Sequence, residues 1–504
     1  MKTYPVAAIS LDGQQLTIEQ VEAIARRFAP VKLSADAIDR IQASRRLVER
    51  MVRERRVAYG VTTGFGKFSD VVISREDTRQ LQENLIMSHA CGVGEPYPVE
   101  VVRAMIALRI NALAKGYSGI RLETLTLLVE MLNRGVHPII PQQGSLGASG
   151  DLAPLAHLVL VMLGKGEAEY EGRRLPGAAA LQAAGLQPIR LHAKEGLALI
   201  NGTQAMSALL CLALVDARTV LESAEVIAAL SVEALRGIAD AYDPRLHALR
   251  PHPGQQESAR RLRAYLTGSE RITEQGQLRV QDAYSLRCIP QVHGATRDTL
   301  AYVWQIVERE CNSVTDNPIL FSETEEVISG GNFHGQPLAL AADFLAIATA
   351  ELANISERRT ERLVNPQLSG LPAFLTPYGG LHSGYMIAQY TAASLVSENK
   401  VLCHPASVDS IPSSANQEDH VSMGTTAARK LRTVVENTRK VLAIEYLTAA
   451  QAIDFGTGKL GAGTEKAYQL LRSHVPRLEH DRELHADIVR AEQLLRDKAL
   501  LFSP

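Results

Sequence analysis

The chain has 504 residues, 46% hydrophobic and 21% charged, with a formal net charge of −2. That balance belongs to an ordinary folded protein rather than a disordered one, and it offers no electrostatic footprint for nucleic acid or an acidic membrane surface. Cys91, Cys211, Cys288, Cys311 and Cys403 are scattered and form no CxxC pair, which argues against a disulfide frame or a cysteine zinc site and fits a reducing compartment.

From the N-terminus onward, MKTYPVAAISLDGQQLT has only a brief apolar stretch before Asp12, too short for a signal peptide. The run from Leu152 to Leu163 is too short to span a bilayer, and the longer one from Leu338 to Ile355 is interrupted by Asp343 and Glu351. A soluble cytoplasmic protein is expected. Strand signals are few: around Leu16, over 168–175, and over 326–331. Helical periodicity dominates, with runs at 204–237, 336–364 and 425–453 that exceed the usual helix length and suggest a bundle. The class is mainly α, divided into a mixed, mostly helical region over 1–200 and a long-helix bundle over 201–504.

Between the helices lie loops rich in Gly, Asn, Ser and Gln, at 59–70, 88–94, 199–204, 281–291, 315–320, 329–337 and 413–424. Several such loops at helix ends suggest a pocket assembled from distant parts of the chain. Familiar cofactor motifs are absent from them. Gly66-Lys67 and Gly458-Lys459 are followed by Phe68 and Leu460 and lack the upstream glycine of a phosphate loop. Gly147-Ala148-Ser149-Gly150 does not make a nucleophile elbow. No histidine pair has metal spacing; His247 and His252 read as loop residues, and Glu418-Asp419-His420 as a solvated or capping cluster.

The segment GSLGASGDLAPLAHL, 144–158, has two readings. One is punctuation, with Ser149 or Asp151 capping a helix and Pro154 in its first turn. The other is chemical. A backbone cyclises when an amide nitrogen folds back onto a carbonyl two residues earlier. That requires no Cβ at the attacking residue, little bulk before it, and a hydroxyl between them that can leave as water. Gly150, Ala148 and Ser149 supply these in order, and free amide N–H groups at the helix start favour the negative charge that develops.

With that segment and the polar loops in the same order over nearly its whole length, the chain resembles the ammonia-lyases and aminomutases of aromatic amino acids. These carry a methylidene-imidazolone (MIO) group. Ser88-His89, the NQEDHVSM segment with Glu418, and HPASVDS (404–410) place the resemblance in the branch that converts L-histidine to trans-urocanate and ammonia. The alternative is a tyrosine ammonia-lyase or aromatic 2,3-aminomutase, which should lack Glu418. A different class of reading, a helical scaffold without activity, sits poorly with the intact tripeptide, Tyr59 and Arg287.

The resemblance implies an MIO formed from Ala148, Ser149 and Gly150 without an external cofactor or metal. It makes Tyr59 the base for the β-proton and Tyr284 an aid to the electrophile. Arg287 would hold the substrate carboxylate through a fork that lysine cannot reproduce, unless it is a buried ion-pair residue. Gln281 and Asn201 would serve the polar network, although Asn201 also reads as the N-cap of the helix near Gln204. Phe333 would pack on ring or substrate. His89 and Glu418 would read the two imidazole nitrogens. The family also implies a homotetramer with active sites shared between subunits, the 1–200 region carrying the Tyr59 loop and the MIO segment, and the bundle forming the oligomer core and the C-terminal substrate loops.

Overall fold

The structure, a computed structural model, describes residues 7–54, 56 and 78–502. Two compact units are present: Met1–Leu212 with Gln305–Ala342 and Pro405–Arg429, and Ala213–Trp304 with Asp343–His404 and Lys430–Pro504. The mainly α class is observed. The three long runs are single helices, Gln204–Ala234, Gln336–Val364 and Gly424–Ile453, joined by a fourth at Ile289–Cys311. Strands are short. Ile9–Leu11 pairs in parallel with Val31–Leu33, and Glu167–Tyr170 forms a hairpin with Arg173–Pro176. The strand expected around Leu16 thus lies earlier, because Thr17 and Gln20 close a capping box and start a helix at Ile18. His247 is likewise not a loop residue: it sits in the helix Pro244–Ala248 and is held by Gln255 and the Ala241 carbonyl.

In the first unit, the helix Val99–Ala114 is buried at every position from Val101 onward. A helix apolar on all sides has no solvent face and becomes the centre of its core. Its polar exceptions close the carbonyl ends of neighbouring helices, groups that a helix leaves without intrahelical donors. Arg103 donates to the Ile24 and Leu132 carbonyls, each at 2.9 Å. Asn111 donates to Cys311 O at 2.8 Å. Arg109 does the same for Ala198 and Asn201, at the end of the helix Glu195–Ile200. The apolar helix Leu152–Met162 packs against both Thr78–His89 and Glu195–Ile200. That packing gathers His89, the Ala148-Ser149-Gly150 segment and Asn201 at helix ends.

In the second unit, buried ion pairs tie the helices together. Arg359 and Glu445 are both fully buried and bridge with an Nη2–Oε2 distance of 2.9 Å, while Ser231 Oγ donates to Glu445 at 2.7 Å. Glu445→Ala strands the Arg359 charge in the core, so the unfolding free energy should fall by about 3–5 kcal/mol. Urea unfolding followed by circular dichroism checks this; a midpoint equal to the parent protein's would refute it.

Candidate active site

The helix after the tripeptide begins at Leu152 with Asp151 in the N-cap position, but neither Asp151 nor Ser149 caps it through a side chain. The Asp151 carboxylate turns instead into the protein. It accepts from Met206 N at 2.9 Å, from Ser145 Oγ at 3.0 Å and from Thr425 Oγ1. Burial pushes this carboxyl above the usual range, and those hydrogen bonds oppose the shift. Three sequence-distant segments, 145–151, 205–206 and Thr425, therefore meet on one buried acid. The capping expectation fails because these tertiary donors take the carboxylate from the local amides.

Gly150 adopts φ +71°, and a Cβ there would stand 2.1 Å from Gly202 O. The two glycines form a backbone bridge, and Asp151 N donates to Gly202 O at 2.6 Å. Asn201 Nδ2 donates to Ser149 O at 3.2 Å, whereas its Oδ1 is buried without a partner. Asn201 is therefore not the N-cap of the following helix. It ends the helix Glu195–Ile200 and turns its amide onto the tripeptide. Ala148 and Ser149 are half-buried, so the stretch lies packed on one side and open on the other.

The 413–424 loop joins the same region: Met423 N donates to Leu146 O at 3.1 Å, and a Cβ on Gly147 would meet Ser422 Oγ at 2.2 Å. Within it, Ser413 and Glu418 exchange both backbone hydrogen bonds, and Ser413 Oγ donates to Glu418 Oε2 at 3.1 Å. Ser414, Ala415 and Asn416 between them all have positive φ, a left-handed turn that L-residues adopt only under constraint. His89, the last residue of its helix, is held below the ordinary histidine pKa by burial, while the Leu85 backbone and the Glu418 charge act the other way. The structure thus brings His89 and Glu418 within electrostatic reach of each other. Phe333 is half-buried just before the helix Gln336–Val364. Its neighbour His334 bonds His420 O at 3.2 Å and stacks on the His420 ring at 5.8 Å, which joins the Phe333 loop to the Glu418 loop.

Gln281, Tyr284 and Arg287 lie in the second unit, at and just before the short helix Tyr284–Arg287. The Arg287 guanidinium lies 4.6 Å from the centre of the Tyr284 ring, and among the described residues no carboxylate stands within ion-pair distance of it. The ion-pair reading of Arg287 therefore finds no acid partner. Its neighbour Asp282 is occupied by Arg279 and by Ile238 N. Gln281 and Tyr284 are exposed. Tyr59 lies outside the described residues.

Sequence reasoning missed Asp151 as a junction, along with Ser145, Thr425, Gly202 and Arg109. The one available signal was an acid directly after Ala148-Ser149-Gly150. Ser145 is six positions away, but Met206 and Thr425 lie 55 and 274 positions away, beyond the reach of any local pattern.

Residues 16–473 match the model of the aromatic amino acid lyases. The chain belongs to that family. It is 62% identical over 97% of its length to a histidine ammonia-lyase of Caldanaerobacter subterraneus subsp. tengcongensis, covering 96% of that relative. Among solved structures it resembles histidine ammonia-lyase from Trypanosoma cruzi, with TM-score 0.92, 47% identity, and coverage of 98% of this chain and 94% of the other. It also resembles tyrosine aminomutase from Streptomyces globisporus, with TM-score 0.95, 40% identity and 98% coverage of both chains.

Proposed function

We propose that this protein eliminates ammonia from L-histidine to give trans-urocanate, using an MIO that forms from Ala148, Ser149 and Gly150. The observation that carries the substrate choice is that the loop bearing Glu418 is bonded to the tripeptide segment through Met423 N and Leu146 O at 3.1 Å, with the Glu418 charge in electrostatic reach of His89. A neutral imidazole offers one donor and one acceptor, which an acid and a second imidazole can both satisfy and an apolar wall leaves unpaired. The 62% identity to a relative named histidine ammonia-lyase points the same way.

The residues fit an MIO. Gly150 has no Cβ where one would strike Gly202 O, and the buried Asn201 Oδ1 has acceptor capacity left over. When formed, the group supplies an electrophile that eases departure of the amine. The chain's own side chains do the remaining work. Asn201 holds the Ser149 carbonyl and keeps its own side-chain oxygen free to accept a hydrogen bond. Arg287 receives the substrate carboxylate bidentately, with Gln281 beside it. Tyr59 takes the β-proton, which demands a phenol more acidic than its unperturbed value near 10. Tyr284 assists at the electrophile and Phe333 walls the substrate. The working form is a cytoplasmic homotetramer that shares sites between subunits. In it, the 1–200 region brings Tyr59 and the tripeptide, and 201–504 the bundle and the substrate loops.

Assaying histidine, tyrosine and phenylalanine side by side, following acrylate absorbance, tests the substrate assignment; preference for tyrosine would transfer it to the runner-up. Glu418→Gln should lower kcat/KM for histidine by about 100-fold while leaving the thermal midpoint and the oligomer unchanged. Unimpaired histidine kinetics in that variant would remove Glu418 from the site.

A further inference from the structure

We infer that Arg109 is a positioning residue for formation of the reactive ring: it locks the 198–204 backbone into the surface against which Ser149 and Gly150 are pressed. The inference rests on the cyclisation proposed above. Arg109 is 1% exposed, on the central helix Val99–Ala114. Its Nη1 donates to Asn201 O at 2.8 Å and to Gln204 Oε1 at 2.7 Å, and its Nη2 donates to Ala198 O. Among the described residues no carboxylate pairs with it directly; the nearby Asp316 is taken by Lys194 at 2.7 Å. Burial lowers its pKa to about 10. A buried guanidinium without its own acid is costly to keep, so the carbonyls it holds are the reason to look for a role.

One of those carbonyls belongs to Asn201, and Asn201 and the adjoining Gly202 grip the tripeptide segment. Asn201 binds Ser149 O, and Gly202 O accepts from Asp151 N. Gly202 itself is wedged: a Cβ there would stand 2.4 Å from Arg109 Nη1 and 2.4 Å from Gln204 Oε1. Arg109 thus stands behind Gly202 while Gly150 stands in front. In the cyclisation, a bond forms between Gly150 N and the Ala148 carbonyl carbon. The Ala148 oxygen leaves as water with the Gly150 and Ser149 amide hydrogens. The Ser149 hydroxyl leaves as a second water with the Ser149 Cα hydrogen. The first step needs Gly150 N driven toward Ala148, and a backing that cannot recoil favours that compression.

The same helix provides a control. Arg103 is also buried and also binds helix-end carbonyls, but at Ile24 and Leu132, none of which touch the tripeptide. The experiment is intact-mass spectrometry of the purified full chain, where ring formation removes two waters, combined with steady-state kinetics on histidine. In Arg109→Lys the cyclised fraction and kcat should fall together by about tenfold or more, with KM unchanged. Arg103→Lys should lose thermal stability yet remain fully cyclised. Gln204→Met removes the side-chain acceptor that steadies Arg109; it should lower the cyclised fraction even if Arg109→Lys fails to fold. Full cyclisation with parental kcat in Arg109→Lys, or in Gln204→Met where Arg109→Lys is insoluble, overturns the inference. So does equal loss of cyclisation in Arg103→Lys, which would make the effect one of general stability. A parent chain that deaminates histidine at its unmodified mass defeats the ring itself, a separable result.

Discussion

Ser149→Ala is expected to leave a folded protein whose turnover of histidine falls by about 1,000-fold or more, equivalent to roughly 4 kcal/mol of barrier. Ser149 is half-buried, and the contact it makes to Asn201 uses its backbone carbonyl. Removing the hydroxyl therefore breaks no hydrogen bond of the fold. What it removes is the second water, and with it the exocyclic double bond on which the proposed electrophile depends. The amine then departs unassisted from a carbon whose neighbouring proton is scarcely acidic. Intact mass and thermal melting establish that the variant is folded and lacks the two-water loss, and the urocanate assay reads the rate. A Ser149→Ala protein with parental kcat would end the proposal, since no other residue in the tripeptide carries a leaving hydroxyl.

Gly202→Ala should be nearly as damaging to activity and worse for stability. At φ +156° the residue lies where L side chains rarely go, and the added methyl would meet Arg109 Nη1, Gln204 Oε1 and, at 2.7 Å, Thr315 Oγ1. None of the three can retreat at low cost. Arg109 is fixed by the Ala198 and Asn201 carbonyls, and Gln204 Nε2 donates to Thr315 Oγ1 at 2.9 Å. Overpacking of this kind costs about 1–3 kcal/mol, and displacing a buried guanidinium from its acceptors adds roughly 1–3 kcal/mol more. Urea unfolding should show the loss, and mass spectrometry should show a largely linear tripeptide, because the surface behind Gly150 has moved. Parental stability and full cyclisation would mean that the glycine pair does not set the geometry.

The left-handed turn at Ser414, Ala415 and Asn416 and the His334–His420 stack show how the loop that carries Glu418 is held. Glu418 itself lies in neither a helix nor a named strand. Its place comes from the two-way bond with Ser413 and from a loop that His334 clamps to the neighbouring segment. A site on such a support can change its substrate by loop substitution while the helices stay as they are, which agrees with a fold shared by relatives named for different amino acids.

The sequence by itself determined the long helices, because 3.6-residue apolar periodicity over many turns admits few other structures. It also marked the tripeptide, since that chemistry is local: a missing Cβ, a small neighbour and a hydroxyl within three positions. Family membership followed from motif order, which is again a property of the string. Only the tertiary structure decided that Asp151 joins 145, 206 and 425 instead of capping its own helix, that Asn201 faces Ser149 instead of starting the next helix, and that Arg109 backs Gly202. Each of these depends on which distant amide or carbonyl burial brings within about 3 Å, where a hydrogen bond forms. Helix packing sets that proximity, and residue spacing along the chain does not encode it.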